Sequence, residues 1–78
     1  EFSARMLTVH LLHHEGTVRE AAECAVSGLN SHLGWSVPVT RKAIAFAVGR
    51  GLAVEKGPVL RLTEVGRRFA EDLTAGEI

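Results

Sequence analysis

Apolar positions along the chain change their period several times, and each change predicts an element. Over residues 3–15, Met6, Leu7, Val9, Leu11 and Leu12 surround most of a helical circumference, which predicts a largely buried first helix. Ser3 is placed to cap its start and Gly16 to end it in a left-handed turn. Thr17-Val-Arg-Glu20 has the spacing of a capping box and predicts a second helix with the stripe Val18, Ala22, Ala25, Leu29 and Leu33. Gly28 weakens that helix, and Gly34-Trp35-Ser36-Val37-Pro38 stops it. A third helix is expected from about Thr40, with Ile44, Ala47, Val48 and Gly51 turned inward. The period then shortens to two. Residues 52–56 and 59–63 read as two strands joined at Gly57-Pro58, with Leu60 and Leu62 alternating with Arg61. Thr63 caps a last helix carrying Val65, Phe69 and Leu73 on one stripe. Glu64–Arg68, Arg67–Glu71 and Arg68–Asp72 stand within ion-pair reach on its outside.

Composition narrows the class. A chain of 78 residues, 46% hydrophobic, supports one modest core of Leu, Val, Ile and Ala, since it holds three Phe, one Trp and no Tyr. One cysteine makes no internal disulfide, and no apolar run reaches the roughly 20 residues of a membrane span. A cytoplasmic protein, with no membrane partner, is therefore expected. Glu1-Phe2 matches the codons of a common restriction site and is expected to be a cloning scar. The remaining residues 3–75 are expected to be one domain cut from a larger protein.

Net charge is zero, yet its distribution is uneven. Residues 39–70 hold seven basic side chains (Arg41, Lys42, Arg50, Lys56, Arg61, Arg67, Arg68) against Glu55 and Glu64. The flanking segments are net acidic.

The order three helices, hairpin, helix predicts a mainly α fold with a small β-hairpin. At Gly51-Leu52 and Leu62-Thr63-Glu64-Val65-Gly66-Arg67 the chain resembles the winged helix-turn-helix superfamily, in particular its bacterial regulators. Thr17-Val-Arg-Glu-Ala-Ala22 is similar to the opening of that family's second helix, and the resemblance covers roughly residues 4–73. It implies three helices, a two-stranded wing and a C-terminal helix, with the third helix as the reading element. The segment before Thr40 is longer, and the Lys56-Gly57-Pro58 wing tip shorter, than in that family. The scaffold serves DNA binding, RNA binding and protein contact alike.

With Ile44 inward, a helical rotation of about 100° per residue points Lys42, Phe46 and Gly49 outward, flanked by Ala45 and Arg50. Few of these groups pair with base edges. Three readings stay open. In the first, Ser36, Thr40, Arg41, Lys42, Arg50, Lys56 and Arg61 hold the phosphates of duplex DNA with weak base selectivity, in transcription regulation or genome maintenance. In the second, Ala45, Phe46 and Gly49, with Trp35 as an anchor, form an apolar interface for dimerisation or a protein partner. In the third, the helix is rotated and Phe46 is core.

His10 and His14 stand one helical turn apart and are weak metal candidates, because no carboxylate or cysteine lies at a supporting offset on that helix. No cofactor is expected. Cys24 reads as a small half-buried apolar residue beside Glu23. No nucleophile elbow, phosphate-cradling loop or flanking carboxylate pair is present, so a non-enzyme is expected.

Overall fold

The computed structural model describes residues 2–75. In chain order the elements are α1 (Phe2–His14), α2 (Glu20–Glu23), a 3-10 turn (Val26–Gly28), α3 (Leu29–Leu33), α4 (Val37–Gly49), β1 (Ala53–Lys56), β2 (Val59–Leu62) and α5 (Glu64–Ala75). The fold is mainly helical with one two-stranded antiparallel hairpin. No helix among the described residues is long and apolar enough to cross a membrane.

Helix α1 already includes Phe2, so Ser3 is not its cap. Nor is α1 buried all round: Ala4, Leu7, Thr8 and Leu11 form one buried stripe, while Met6 is exposed. Thr8 tolerates burial because its hydroxyl donates to the Arg5 carbonyl at 2.8 Å.

The long second helix expected over residues 17–33 does not form. Thr17 makes a turn instead of a capping box: its hydroxyl donates to the His14 carbonyl at 2.7 Å, and Glu20 Oε1 accepts from the Gly16 amide at 3.3 Å. After one turn of α2 the chain runs extended past Ala25. The Val26 amide donates to the Pro58 carbonyl at 3.0 Å, and the Leu60 amide to the Cys24 carbonyl at 2.9 Å. Ser27 and Gly28 are weak helix formers, and pairing with β2 satisfies this backbone better than continued helix. Val18, expected on the buried stripe, is fully exposed.

Helix α3 ends in a Schellman turn at Gly34, whose φ of 69° suits glycine; Trp35 donates to the Asn30 carbonyl at 2.9 Å. Three residues later α4 begins. Ser36 caps it, accepting from the Val39 amide at 3.3 Å, and Pro38 sits in the first turn, where a missing N–H costs nothing. The Pro38 expected to end one helix thus starts the next, and α4 begins three residues before Thr40.

At the other end of α4, Leu52 donates to the Ala47 carbonyl at 2.8 Å and Gly51 to Val48 at 3.0 Å, a second Schellman turn. The hairpin pairs Ala53 with Leu62 and Lys56 with Val59. Thr63 then joins three segments. Its amide donates to the Leu52 carbonyl at 3.0 Å, its hydroxyl donates to the Gly51 carbonyl, and the same oxygen accepts from the Gly66 amide at 3.0 Å, capping α5. A Cβ on Gly66 would stand 1.7 Å from the Leu52 carbonyl oxygen, so only glycine fits where α5 crosses that backbone. The buried face of α5 is Gly66 and Ala70; Val65, expected there, is exposed. The core joins Leu7 and Leu11 of α1, Leu29 of α3, Ala43 and Ala47 of α4, and Leu60 and Leu62 of β2.

Candidate functional site

Helix α4 buries Thr40, Ala43 and Ala47, with Ile44 packed against the core. This stripe is rotated from the expected one, since Val48 is exposed and Gly51 lies beyond the helix. The outward face is Arg41, Lys42, Ala45, Val48 and Gly49. Between it and the hairpin lies an open groove of about 450 Å³ lined by Val26, Arg41, Ile44, Ala45, Val48, Gly49 and Glu55. Its floor is mostly aliphatic, with one cation and one carboxylate at the margins.

The residues expected to hold phosphates separate into distinct environments. Arg41, Lys42 and Lys56 are exposed and make no ion pair among the described residues. Ser36 is exposed, but its hydroxyl oxygen caps α4. Thr40 is buried and its hydroxyl donates to the Ser36 carbonyl at 2.9 Å, so it faces the protein instead of solvent. Arg50 lies over the Phe46 ring at 4.6 Å, on the flank of α4 nearer α1 and α5. Arg61 is engaged elsewhere: its Nε lies 3.0 Å from Glu20 Oε2 and its terminal nitrogen 3.8 Å from Glu15 Oε1. Glu15 also receives a two-pronged contact from Arg67, at 2.7 and 2.9 Å, which raises the Arg67 pKa further above its ordinary range. The cations of residues 39–70 are therefore divided: Arg61 and Arg67 are held by carboxylates, and Arg50 lies on another flank of α4.

Of the residues expected at a protein interface, Ala45 and Gly49 line the groove. Phe46 does not. It is half-buried beside Arg5, Leu52 and Phe69, between the outward and core readings of the sequence. Trp35 is half-buried against the core edge.

A second cluster lies where α1, α2 and α3 meet. His10 Nε2, His14 Nε2 and His32 Nδ1 stand 3.9, 3.7 and 3.3 Å from one atom, Glu23 Oε1. The other carboxylate oxygen takes the Arg19 guanidinium at 3.2 Å. The Arg19 hydrogen bond is the largest influence holding the Glu23 pKa down; burial opposes it, and the His32 and His14 charges assist it. The Glu23 side chain is only 12% exposed. His10 and His14 were legible as a pair, but their carboxylate was not. In a continuous helix Glu23 and His32 would lie about 13 Å apart along the axis, and only the break at Cys24–Gly28 folds them together. The Ser27-Gly28 pair was the available signal for that break. Neighbouring Cys24 is buried, and burial together with nearby carboxylates raises its thiol to about 11.

No protein-family model, no curated protein and no solved structure matches this chain.

Proposed function

We propose that this chain is a winged helix-turn-helix domain that binds duplex DNA, with α4 laid along the major groove, the β1–β2 hairpin as its wing, and a role in transcription regulation or genome maintenance. The element order supports the reading: α3 and α4 joined by a three-residue turn, then a hairpin. One observation carries it. The cations on the outward face of α4 and at the hairpin tip, Arg41, Lys42 and Lys56, have no intramolecular ion-pair partner among the described residues, whereas Arg61 and Arg67 are neutralised by carboxylates. Three such cations supply backbone affinity, and Ala45, Val48 and Gly49 add little base discrimination.

Binding should weaken steeply with salt. Lys42→Ala and Arg41→Ala should each lower the slope of log affinity against log salt by about one, while Arg61→Ala leaves it unchanged. No binding to any duplex at about 50 mM salt removes this reading.

The aliphatic groove between α4 and the hairpin favours a second reading, in which this face meets a protein partner or a second copy. Val48→Glu distinguishes the two, because Val48 is 42% exposed and its replacement should leave the fold intact. Under the second reading it abolishes association; under the first it acts only through added negative charge, which salt screens.

A further inference from the structure

His10, His14, Glu23 and His32 come from three different elements, yet all converge on Glu23 Oε1. The donor atoms of His10, His14 and Glu23 lie within 4.8 Å of one another. A four-coordinate ion with bonds near 2.1 Å spaces its ligand atoms about 3.4 Å apart. The three imidazole-to-carboxylate distances, 3.9, 3.7 and 3.3 Å, bracket that value. From this convergence we infer that the cluster is a divalent metal site, with His10, His14 and Glu23 as its three protein ligands and a fourth position bordered by His32, suited to Zn²⁺.

The chemistry of the donors selects the ion. Imidazole and carboxylate suit Zn²⁺, and the converging donor atoms are those of two histidines and a carboxylate, without Cys24. His10 and His14 are one turn apart on α1, with ring centroids 4.8 Å apart, so the helix aims both rings the same way. Arg19 binds only Oε2 and leaves Oε1 turned toward the imidazoles, acting as the outer partner that orients a ligating carboxylate. His10 Nε2 lies 2.8 Å from the Glu23 carbonyl oxygen, and metal binding exchanges that contact for the ion, with the ring proton carried on Nδ1. The ion would tie α2 to α1 through Glu23 and so brace the bend that leads into α3. This inference does not depend on the DNA-binding reading.

The test is a titration of the untagged chain with Co²⁺, an optical probe for a Zn²⁺ position. Visible absorption should saturate at one equivalent, bleach on adding Zn²⁺, and be accompanied by a higher melting temperature with Zn²⁺. His10→Ala and His14→Ala should each weaken binding by about tenfold or more, and His13→Ala, on the exposed side of α1, should leave it unchanged. Circular dichroism of each variant establishes that it is folded. Should a variant unfold, the unsubstituted chain decides the matter alone. Absence of both the absorption band and the thermal shift overturns the site, as does one-equivalent binding that survives loss of both His10 and His14.

Discussion

Cys24 shows how a single residue's setting fixes its chemistry. The side chain is buried, and its thiol is raised from 9.0 to about 11 by burial and by Glu20, Glu23 and Glu15. Raised in the fold, this group contributes stability that is complete below the unfolded thiol's pKa and is lost as pH climbs through the folded one. Denaturation midpoints should therefore fall between about pH 9 and 11. Cys24→Ala should flatten that part of the profile. At neutral pH, alkylating reagents should modify the native chain slowly and the unfolded chain fast, and equal rates would contradict this burial. The sequence reads Cys24 as a half-buried apolar residue beside Glu23, and the structure buries it completely, as suits a small, weakly polar thiol. The sequence could not place Glu23 beside three imidazoles, since that depends on where the chain bends.

At the scale of elements, the segment Leu62-Thr63-Glu64-Val65-Gly66-Arg67 acts as a joint. Thr63 caps α5 and holds the end of α4, and Gly66 admits the Leu52 backbone. Gly66→Ala should destabilise at the upper end of the roughly 1–3 kcal/mol typical of overpacking. For a domain this small that lowers the melting temperature by more than about 10 °C. Thr63→Ala should cost about 1–2 kcal/mol, with Thr63→Ser recovering most of it. Calorimetry of these three variants checks both statements. Elements with strong local signals were legible: α1, α4, the hairpin and α5 lie within a few residues of expectation, since periodicity and Gly-Leu or Leu-Thr boundaries specify them directly. The second helix was not. Its interruption at Cys24–Val26 is settled by pairing with β2, more than thirty residues further on, and local spacing carries no trace of that partner. The rotated faces of α4 and α5 have a related cause, because Ala43, Gly66 and Ala70 are small buried residues, and a hydrophobic stripe counted from large side chains overlooks them.

For the molecule as a whole, a net charge of zero conceals a division of labour. Glu15, at the end of α1, holds Arg67 of α5 by two contacts and approaches Arg61 of β2. Acidic residues of the first half of the chain thus neutralise cations of the second half where the elements meet. Glu15→Gln should lower the melting temperature and reduce its dependence on ionic strength, because the two guanidiniums lose their shared anion. A double-mutant cycle with Arg67→Gln measures the coupling directly, and additive effects would show the contact to be idle. The hairpin has one more consequence at this scale. β1 pairs with one margin of β2 along its length, and the bridge from Ala25 to Val59 covers the start of the other. The outer margin of β1 has no strand partner among the described residues; it is four residues long and ends in Glu55 and Lys56. So short and charged a rim discourages strand addition by a neighbouring chain, which guards the domain against edge-to-edge aggregation.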